Sequence, residues 1–369
     1  MLQATATSSY KVLYNFKGGE TDGANPGSNL INVNGTLYGT ATNGGSAGKG
    51  VVYSVTTDGV EKILHNFQGA SGAKPMAGLI EVGNRFYGTT YGGGHTSCGC
   101  GTVYFITASG AYGVLHSFAG GSDGAYPEAA LVDLDGTLYG TTNEGGGGKC
   151  RVGGRAEGCG TIFSITAGTE KVLGTFSGET EGEYPTSGLI PINGALYGTT
   201  SEGGTDAQGT VFRITTAGVK RVLHNFGAGS DGRNPNAALL YLKGTLYGTT
   251  SNGGDLTARK GTVFSMRLGG RERVLYDFKG TPDGANPNSA LIAVGGVLYG
   301  TTPNAGTTSN SMGTVYSISV NGNENVVHSF NSSAEGGYPN GLIDVNGTLY
   351  GTTDLGGNGD FGTVYSLSP

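Results

Sequence analysis

The chain has 369 residues, of which 74 are glycine and only 13% are charged, and its formal net charge is −6 at pH 7. An acidic chain is a poor partner for nucleic acid, whose phosphates require a basic face. No apolar stretch reaches the roughly 20 residues of a membrane helix, while 20 tyrosines and 13 phenylalanines supply the material for a core.

Three short motifs recur seven times along the chain. The first is an apolar run that ends in phenylalanine, at residues 11–16, 62–67, 113–118, 171–176, 221–226, 273–278 and 325–330. The second, [LF]-Y-G-T, begins at Leu37, Phe86, Leu138, Leu196, Leu246, Leu298 and Leu349. The third, G-[TV]-[VI]-[YF], begins at Gly50, Gly101, Gly160, Gly209, Gly261, Gly313 and Gly362. A β-rich repeat of about 50 residues is typical of a β-propeller, with one blade per repeat.

The motifs predict four strands per blade. The chain opens on strand d, the run that ends in phenylalanine. Strand a then follows a repeated proline, strand b carries L-Y-G-T, and strand c carries G-[TV]-[VI]-[YF]. Two-residue links such as Asn34-Gly35 join a to b and suit type I′ or II′ hairpins. Because the chain begins with a strand d and ends with a strand c, we expect the N-terminal strand to complete the C-terminal blade and remove the open edge.

The predicted fold is therefore all-β: a seven-bladed β-propeller with four antiparallel strands per blade. It forms a single domain over residues 10–369, after a disordered N-terminal segment, residues 1–9. The two positions before the apolar pair of strand a should lie against the central axis, where large side chains would clash. They are small or short in the first six units: Ser28-Asn29, Ala77-Gly78, Ala129-Ala130, Ser187-Gly188, Ala237-Ala238 and Ser289-Ala290.

The chain resembles the GloVer tandem-repeat proteins, a bacterial group marked by L-Y-G-T-T followed by G-T-V-[YF]-[SR]-[IL]. All seven units carry this pattern, with Ala41 in place of the second threonine and Val51 in place of the motif threonine in unit one. The resemblance covers essentially the whole chain. It implies a secreted or surface-anchored protein and brings no assigned chemistry or active-site motif.

The residue before the strand-a proline varies among units and is a candidate for ligand binding. These polar and aromatic groups should ring one mouth of the channel, where they can bond to or stack on sugars. An alternative role is to hydrogen-bond neighbouring blades and hold the ring closed. The ring consists of Asn25, Lys74, Tyr126, Tyr184, Asn234, Asn286 and Tyr338.

Charged residues that break the repeat concentrate in blades three to five. Glu128 follows its proline, Glu183 and Arg233 stand where other units have Ala or Gly, and Glu144 and Glu202 begin the b–c loops. A pair of these carboxylates can serve as general acid and base or as nucleophile, as in glycoside hydrolases. The alternative is a solvated loop surface.

The repeated Asp-Gly pairs and histidines are interpreted as structural residues. The Asp-Gly pairs of the d–a loops suit turns, and calcium is the weaker alternative because no D-x-D-x-D-G motif is present. We expect neither a cofactor nor a metal. Four of the five histidines occupy one strand-d position, filled by Tyr14, Gly174 and Tyr276 in the other units: His65, His116, His224 and His328.

The four cysteines lie in two consecutive b–c loops, Cys98 and Cys100 in one, Cys150 and Cys159 in the next. A bridge within Cys98-x-Cys100 should be strained, so we expect two bridges between the loops, or a Cys150–Cys159 bridge with the C-x-C free. Disulfides favour an oxidising compartment. The alternative is a zinc site formed by these thiolates and His95, but the cysteines lack the C-x₂-C spacing that is usual in zinc sites.

Three functions remain open on the sequence. The leading interpretation is a secreted or cell-surface module that binds a glycan or another polar ligand at the channel mouth formed by the d–a and b–c loops. The second is a glycoside hydrolase or polysaccharide lyase using the acids of blades three to five. The third is a surface scaffold or assembly protein. The sequence does not indicate the ligand or the oligomeric state.

Overall fold

The computed structural model describes residues 9–152, 155–156, 158–227 and 230–369. These residues form seven four-stranded antiparallel sheets around a central channel, as predicted. The predicted N-terminal segment 1–9 lies outside the described residues except for Ser9, which begins a strand. Within the described residues, no helix has the length and hydropathy needed to span a membrane.

Each blade contributes strands a to d from the channel outward. Blade one is Ile31–Val33, Thr36–Ala41, Val51–Thr56 and Glu61–Asn66. Blade two is Ile80–Val82, Arg85–Thr90, Thr102–Ile106 and Tyr112–Ser117. Blade three is Val132–Leu134, Thr137–Thr142, Thr161–Thr166 and Thr169–Thr175. Blade four is Ile190–Ile192, Ala195–Thr200, Thr210–Thr215 and Lys220–Asn225. Blade five is Leu240–Leu242, Thr245–Thr250, Thr262–Arg267 and Glu272–Asp277. Blade six is Ile292–Val294, Val297–Thr302, Thr314–Ile318 and Glu324–Ser329.

Blade seven confirms the predicted closure of the ring. Its strands a to c are Gly337–Val345, Thr348–Leu355 and Thr363–Ser368, and its strand d is the N-terminal Ser9–Asn15. The N-terminal and C-terminal strands pair from Ser9 opposite Ser368 to Asn15 opposite Thr363. The loops add a 3₁₀ turn and three short two-stranded ladders. The 3₁₀ turn is Gly121–Asp123. The ladders pair Gly23–Ala24 with Asn43–Gly44, Arg151–Val152 with Arg155–Ala156, and Gly232–Arg233 with Asn252–Gly253.

The a–b hairpins have the predicted turn chemistry. In six of the seven links both residues have positive φ, as at Asn34 (51°) and Gly35 (82°), which is the type I′ conformation. Asparagine, aspartate and glycine populate this region at low cost.

The core lies between blades rather than within one. The phenylalanine after each strand d is 0–1% exposed and packs edge-to-face on the strand-c aromatic ring of the next blade, with centroids 4.9–5.4 Å apart. That strand-c ring covers the glycine of L-Y-G-T on strand b. A Cβ added at Gly39 would lie 2.6 Å from the hydroxyl of Tyr53, so the motif requires glycine there.

Seven threonines tie the blades together next to the channel. The first threonine of each L-Y-G-T-[TA] donates its hydroxyl to a backbone carbonyl one or two residues after the strand-a proline of the next blade, at 3.0–3.4 Å. The last of these bonds joins Thr352 of blade seven to Ser28 of blade one. As predicted, the small residues before strand a line the channel, which encloses 210 Å³.

Candidate ligand-binding site at the channel mouth

The residue before each strand-a proline forms an outer ring around the channel mouth. All seven residues have a left-handed backbone, with φ between 54° and 59°. Each amide donates to the carbonyl oxygen of the residue before the strand-c glycine of the preceding blade, at 2.7–3.1 Å. The backbone of this outer ring is therefore fixed by blade packing, and only its side chains can differ in role. Its members are Asn25, Lys74, Tyr126, Tyr184, Asn234, Asn286 and Tyr338.

The three asparagines of the outer ring hold neighbouring blades together. The Nδ2 of Asn25, Asn234 and Asn286 donates to a backbone carbonyl of the preceding blade, at 3.1, 2.9 and 2.8 Å. Each Oδ1 accepts a bond from an asparagine of its own b–c loop. These contacts support the ring-closing alternative for the asparagines.

The aromatic and basic members of the outer ring are arranged differently. Tyr126 stacks on Tyr91 with ring centroids 4.8 Å apart, and Tyr338 is 40% exposed. Burial, with the nearby Glu183, raises the pKa of Tyr184. The Lys74 side chain is exposed. These four side chains are the part of the outer ring that can offer faces or charge to a ligand.

An inner ring, formed by the residue after each proline, lies closer to the axis. It lines the channel entrance with Gly27, Met76, Glu128, Thr186, Asn236, Asn288 and Asn340. Above it, the mouth opens into a cavity of 550 Å³ over blades two to six. The cavity is walled by Glu202, Asn234, Ser201, Ser251 and Asn252 together with inner-ring members. Amides and hydroxyls dominate this wall, which suits a polar ligand.

Three polar atoms at this mouth are buried without a hydrogen-bond partner. They are the Oδ1 atoms of Asn143 and Asn236 and the hydroxyl of Thr186. They come from blades three, five and four, next to Glu128. A buried polar atom without a partner costs about 1–3 kcal/mol, and such atoms are uncommon in folded proteins. Their concentration here distinguishes one side of the mouth.

Glu128 is the acid of the inner ring. Its Oε1 accepts a bond from Asn143 Nδ2 at 3.3 Å. Burial raises the pKa of Glu128 to about 7, and the charge of Glu144 contributes to the rise. At neutral pH this carboxyl is therefore divided between its protonated and ionised forms, so it can donate or accept a proton.

The other predicted acids form a separate pair. The backbones of Glu183 and Glu202 hydrogen-bond to each other at 2.7 and 3.2 Å. Burial and then the charge of Glu202 raise the pKa of Glu183, and a backbone bond at Glu179 opposes the rise. The charge of Glu144 thus acts on Glu128, and the charge of Glu202 acts on Glu183.

Arg233 lies in a short ladder opposite Asn252, on the rim of the same mouth. Of the ion pairs found among the described residues, none includes Arg233. Among the described residues, no ion pair therefore joins Arg233 to Glu128, Glu183 or Glu202.

Asp354 is a mouth residue that the sequence analysis missed. A Cβ built on Gly27 of the inner ring would lie 4.0 Å from Asp354 Oδ1, which places this carboxyl at the channel entrance. Burial raises the pKa of Asp354. The available signal was its position after L-Y-G-T-T, which other units fill with Thr42, Tyr91, Asn143, Ser201, Ser251 and Pro303.

The structure corrects the expected cysteine pairing. Two bridges between loops were expected, but Cys98 pairs with Cys100, with Cα atoms 5.2 Å apart. Cys150 pairs with Cys159, with Cα atoms 5.1 Å apart, which confirms the bridge expected in the alternative pairing. The same alternative expected Cys98 and Cys100 to be free thiols, and that expectation is wrong. Each bridge lies beside the glycine that follows strand d of its own blade, Gly120 or Gly178, which keeps the two sulfur pairs apart. With all four thiols oxidised, the zinc alternative is also excluded in this structure.

Comparison with known families agrees with the repeat. A family described as the Gloeobacter/Verrucomicrobia repeat matches residues 2–153 and 148–365. The chain belongs to this family. A search of curated proteins finds no match.

Solved structures share the fold of this Gloeobacter/Verrucomicrobia repeat protein at low identity. An oligogalacturonate lyase from Vibrio parahaemolyticus has a TM-score of 0.60 at 8% identity, covering 100% of this chain and 95% of its own. A lectin from Burkholderia pseudomallei has a TM-score of 0.58 at 10% identity, with 96% and 97% covered. A putative 6-phosphogluconolactonase from Bacteroides fragilis has a TM-score of 0.54 at 18% identity, with 86% of each chain covered. These likenesses establish the fold alone.

Proposed function

We propose that this propeller binds a polar ligand, a carbohydrate by class, at the channel mouth over blades three to five. The observation that carries the proposal is the polar lining of the mouth cavity, where Thr186, Asn236 and Asn288 supply a hydroxyl and two side-chain amides. A sugar presents several hydroxyl donors on one face, and two amide oxygens with a hydroxyl can accept and return such bonds.

Size and composition of the mouth support the same proposal. Its cavity of 550 Å³ falls within the range of small-molecule sites, about 300–1,000 Å³. Met76 supplies an apolar contact among the amides, and Tyr126 and Tyr184 are the outer-ring aromatic residues of blades three and four. Two disulfide bonds favour an oxidising compartment, so we place the protein outside the cytosol.

A polysaccharide-active enzyme is the second candidate, and Glu128 favours it. A carboxyl with a pKa of about 7, beside a second acid, has the property of a general acid in glycoside cleavage. The similar folds include both a lectin and a lyase, so the fold does not choose between binding and catalysis.

A glycan and oligosaccharide panel, read both for binding and for released product, tests the proposal. Thr186→Val removes one partnerless hydroxyl at nearly constant shape. We expect it to weaken binding at least about fivefold, in line with the loss of one hydrogen bond, without lowering the melting temperature. Glu81→Gln is the control, because Glu81 is exposed near the a–b turn at the other end of the channel.

The outcomes separate the candidate functions. Binding without product, weakened in Thr186→Val and unchanged in Glu81→Gln, supports the binding module. Product that disappears in Glu128→Gln replaces the module with the enzyme. No binding anywhere in the panel refutes the carbohydrate proposal and leaves the scaffold.

A further inference from the structure

The outer edge of the propeller carries a three-residue cluster between each pair of adjacent blades. The first residue lies on strand d, two positions before the motif phenylalanine of the repeat. The second lies in the d–a loop that follows, and the third lies at the start of strand d of the next blade. Between blades two and three these are His116, Asp123 and Glu170. Between blades four and five they are His224, Asp231 and Glu272.

In these two clusters an imidazole nitrogen and two carboxylate oxygens converge. His116 Nε2 lies 3.1 and 3.2 Å from the oxygens of Asp123, and His224 Nε2 lies 3.0 Å from Asp231 Oδ2. In each cluster every residue offers one ligand atom, and these three atoms all lie within 4.8 Å of one another. Tetrahedral zinc with bonds of about 2.0–2.1 Å separates its ligands by about 3.4 Å. A modest side-chain rotation is therefore enough to bring the three ligand atoms of each cluster to the spacing that zinc requires.

In each of these two clusters, one carboxylate oxygen of the glutamate has no hydrogen-bond partner among the described residues. The Oε1 atoms of Glu170 and Glu272 are buried and accept no hydrogen bond. Two carboxyl groups this close are unfavourable when both are ionised, and a cation between them removes the repulsion.

Other blade pairs fill the same place in a different way. Between blades five and six, Tyr276 replaces histidine and donates its hydroxyl to Asp283 at 2.6 Å. Between blades three and four, Lys220 replaces the glutamate and its ammonium bonds to Glu181 at 3.2 Å. The ring thus already has a cationic side chain, Lys220, at one equivalent position. Among the described residues, the His-Asp-Glu clusters are the two that combine an imidazole nitrogen with two carboxylates.

We propose that His116, Asp123 and Glu170, and separately His224, Asp231 and Glu272, each bind one divalent transition-metal ion. Imidazole with carboxylates suits zinc, whereas calcium prefers oxygen-only sites. Each ion would join one blade to the next, and the partial exposure of the histidines, 22% and 19%, leaves a route from solvent. The sites are distinct from the channel mouth, so their function is independent of the glycan proposal.

The test is zinc content after equilibrium dialysis of the untagged, disulfide-intact full chain. We expect two zinc ions per chain, one in His116→Tyr, one in His224→Tyr and none in the double variant. Tyrosine is the natural residue at this position in two other blades, as Tyr14 and Tyr276. His65→Tyr is the matched control and should keep both ions, because its cluster contains Ser71 and Tyr112 instead of acids.

The glutamine variants Glu170→Gln and Glu272→Gln provide a second test if a tyrosine variant fails to fold. Each should lose one zinc ion. A wild-type chain that binds less than one zinc ion overturns the proposal. A variant that keeps two ions overturns the assignment for its cluster, and stronger uptake of calcium than of zinc overturns the choice of metal.

Discussion

Ala41 and Val51 of blade one make a sharp test of how the repeat is stabilised. In the other six blades two threonines face each other here, with hydroxyl oxygens 2.8–2.9 Å apart. In blade one the partners are Ala41 and Val51, which are paired across the strands and fully buried. The two departures from the motif are therefore a single change, from a hydrogen-bonded pair to an apolar pair.

Val51→Thr alone should destabilise the protein by about 1–3 kcal/mol, because it buries a hydroxyl opposite a methyl group without changing the volume. Adding Ala41→Thr restores the arrangement of the other blades. We therefore expect a favourable coupling of about 1–2 kcal/mol between the two substitutions. For a chain of this length the entropy of unfolding is about 0.8 kcal/mol per kelvin, so the single change lowers the melting temperature by only about 1–4 °C.

Guanidinium unfolding followed by circular dichroism, with disulfides intact, gives the four free energies of the double-mutant cycle. Val60→Thr is the control, because Val60 is 66% exposed and the change should cost little. The reasoning is refuted if Val51→Thr is no more destabilising than Val60→Thr. It is also refuted if the effects of the two core substitutions simply add.

Three further predictions follow from the interior. Tyr53→Phe should leave the free energy of unfolding unchanged or raise it, since the Tyr53 hydroxyl is buried without a partner; a loss above about 1 kcal/mol in denaturant unfolding would reveal a hidden bond. Replacing Cys150 and Cys159 by serine should cost about 2–3 kcal/mol, the entropy of a loop of this length, and a stability equal to wild type in the same assay would contradict it. Burial and a neighbouring aspartate raise the pKa of Glu61 and Glu324 to about 7, above the unfolded value near 4.5. Their contribution to stability is therefore most favourable below pH 4.5 and is lost as the pH rises towards 7. Across that range the melting temperature should fall less in the double variant Glu61→Gln/Glu324→Gln than in the wild type. Identical pH profiles of the two proteins would count against the shift.

Motif spacing and turn residues were enough to predict the blade count, the hairpin turns, the closure by the N-terminal strand and the small residues at the axis. Each of these depends on local spacing and on turn chemistry, which repeat within about 50 residues and can be compared unit by unit. The acidic sector in blades three to five was visible for the same reason, because a departure from a repeat is a local observation.

Contacts between neighbouring blades and the conformations of individual loops could not be predicted from motif spacing. The position of Asp354 beside Gly27 and the approach of Glu170 to His116 depend on how neighbouring blades pack. The pairing of Cys98 with Cys100 depends on the conformation of a single b–c loop. The same packing explains the strand-b glycine, which is needed because an aromatic ring from strand c covers it. A repeat pattern fixes which residues are equivalent, whereas the radius and twist of the closed ring fix which side chains meet.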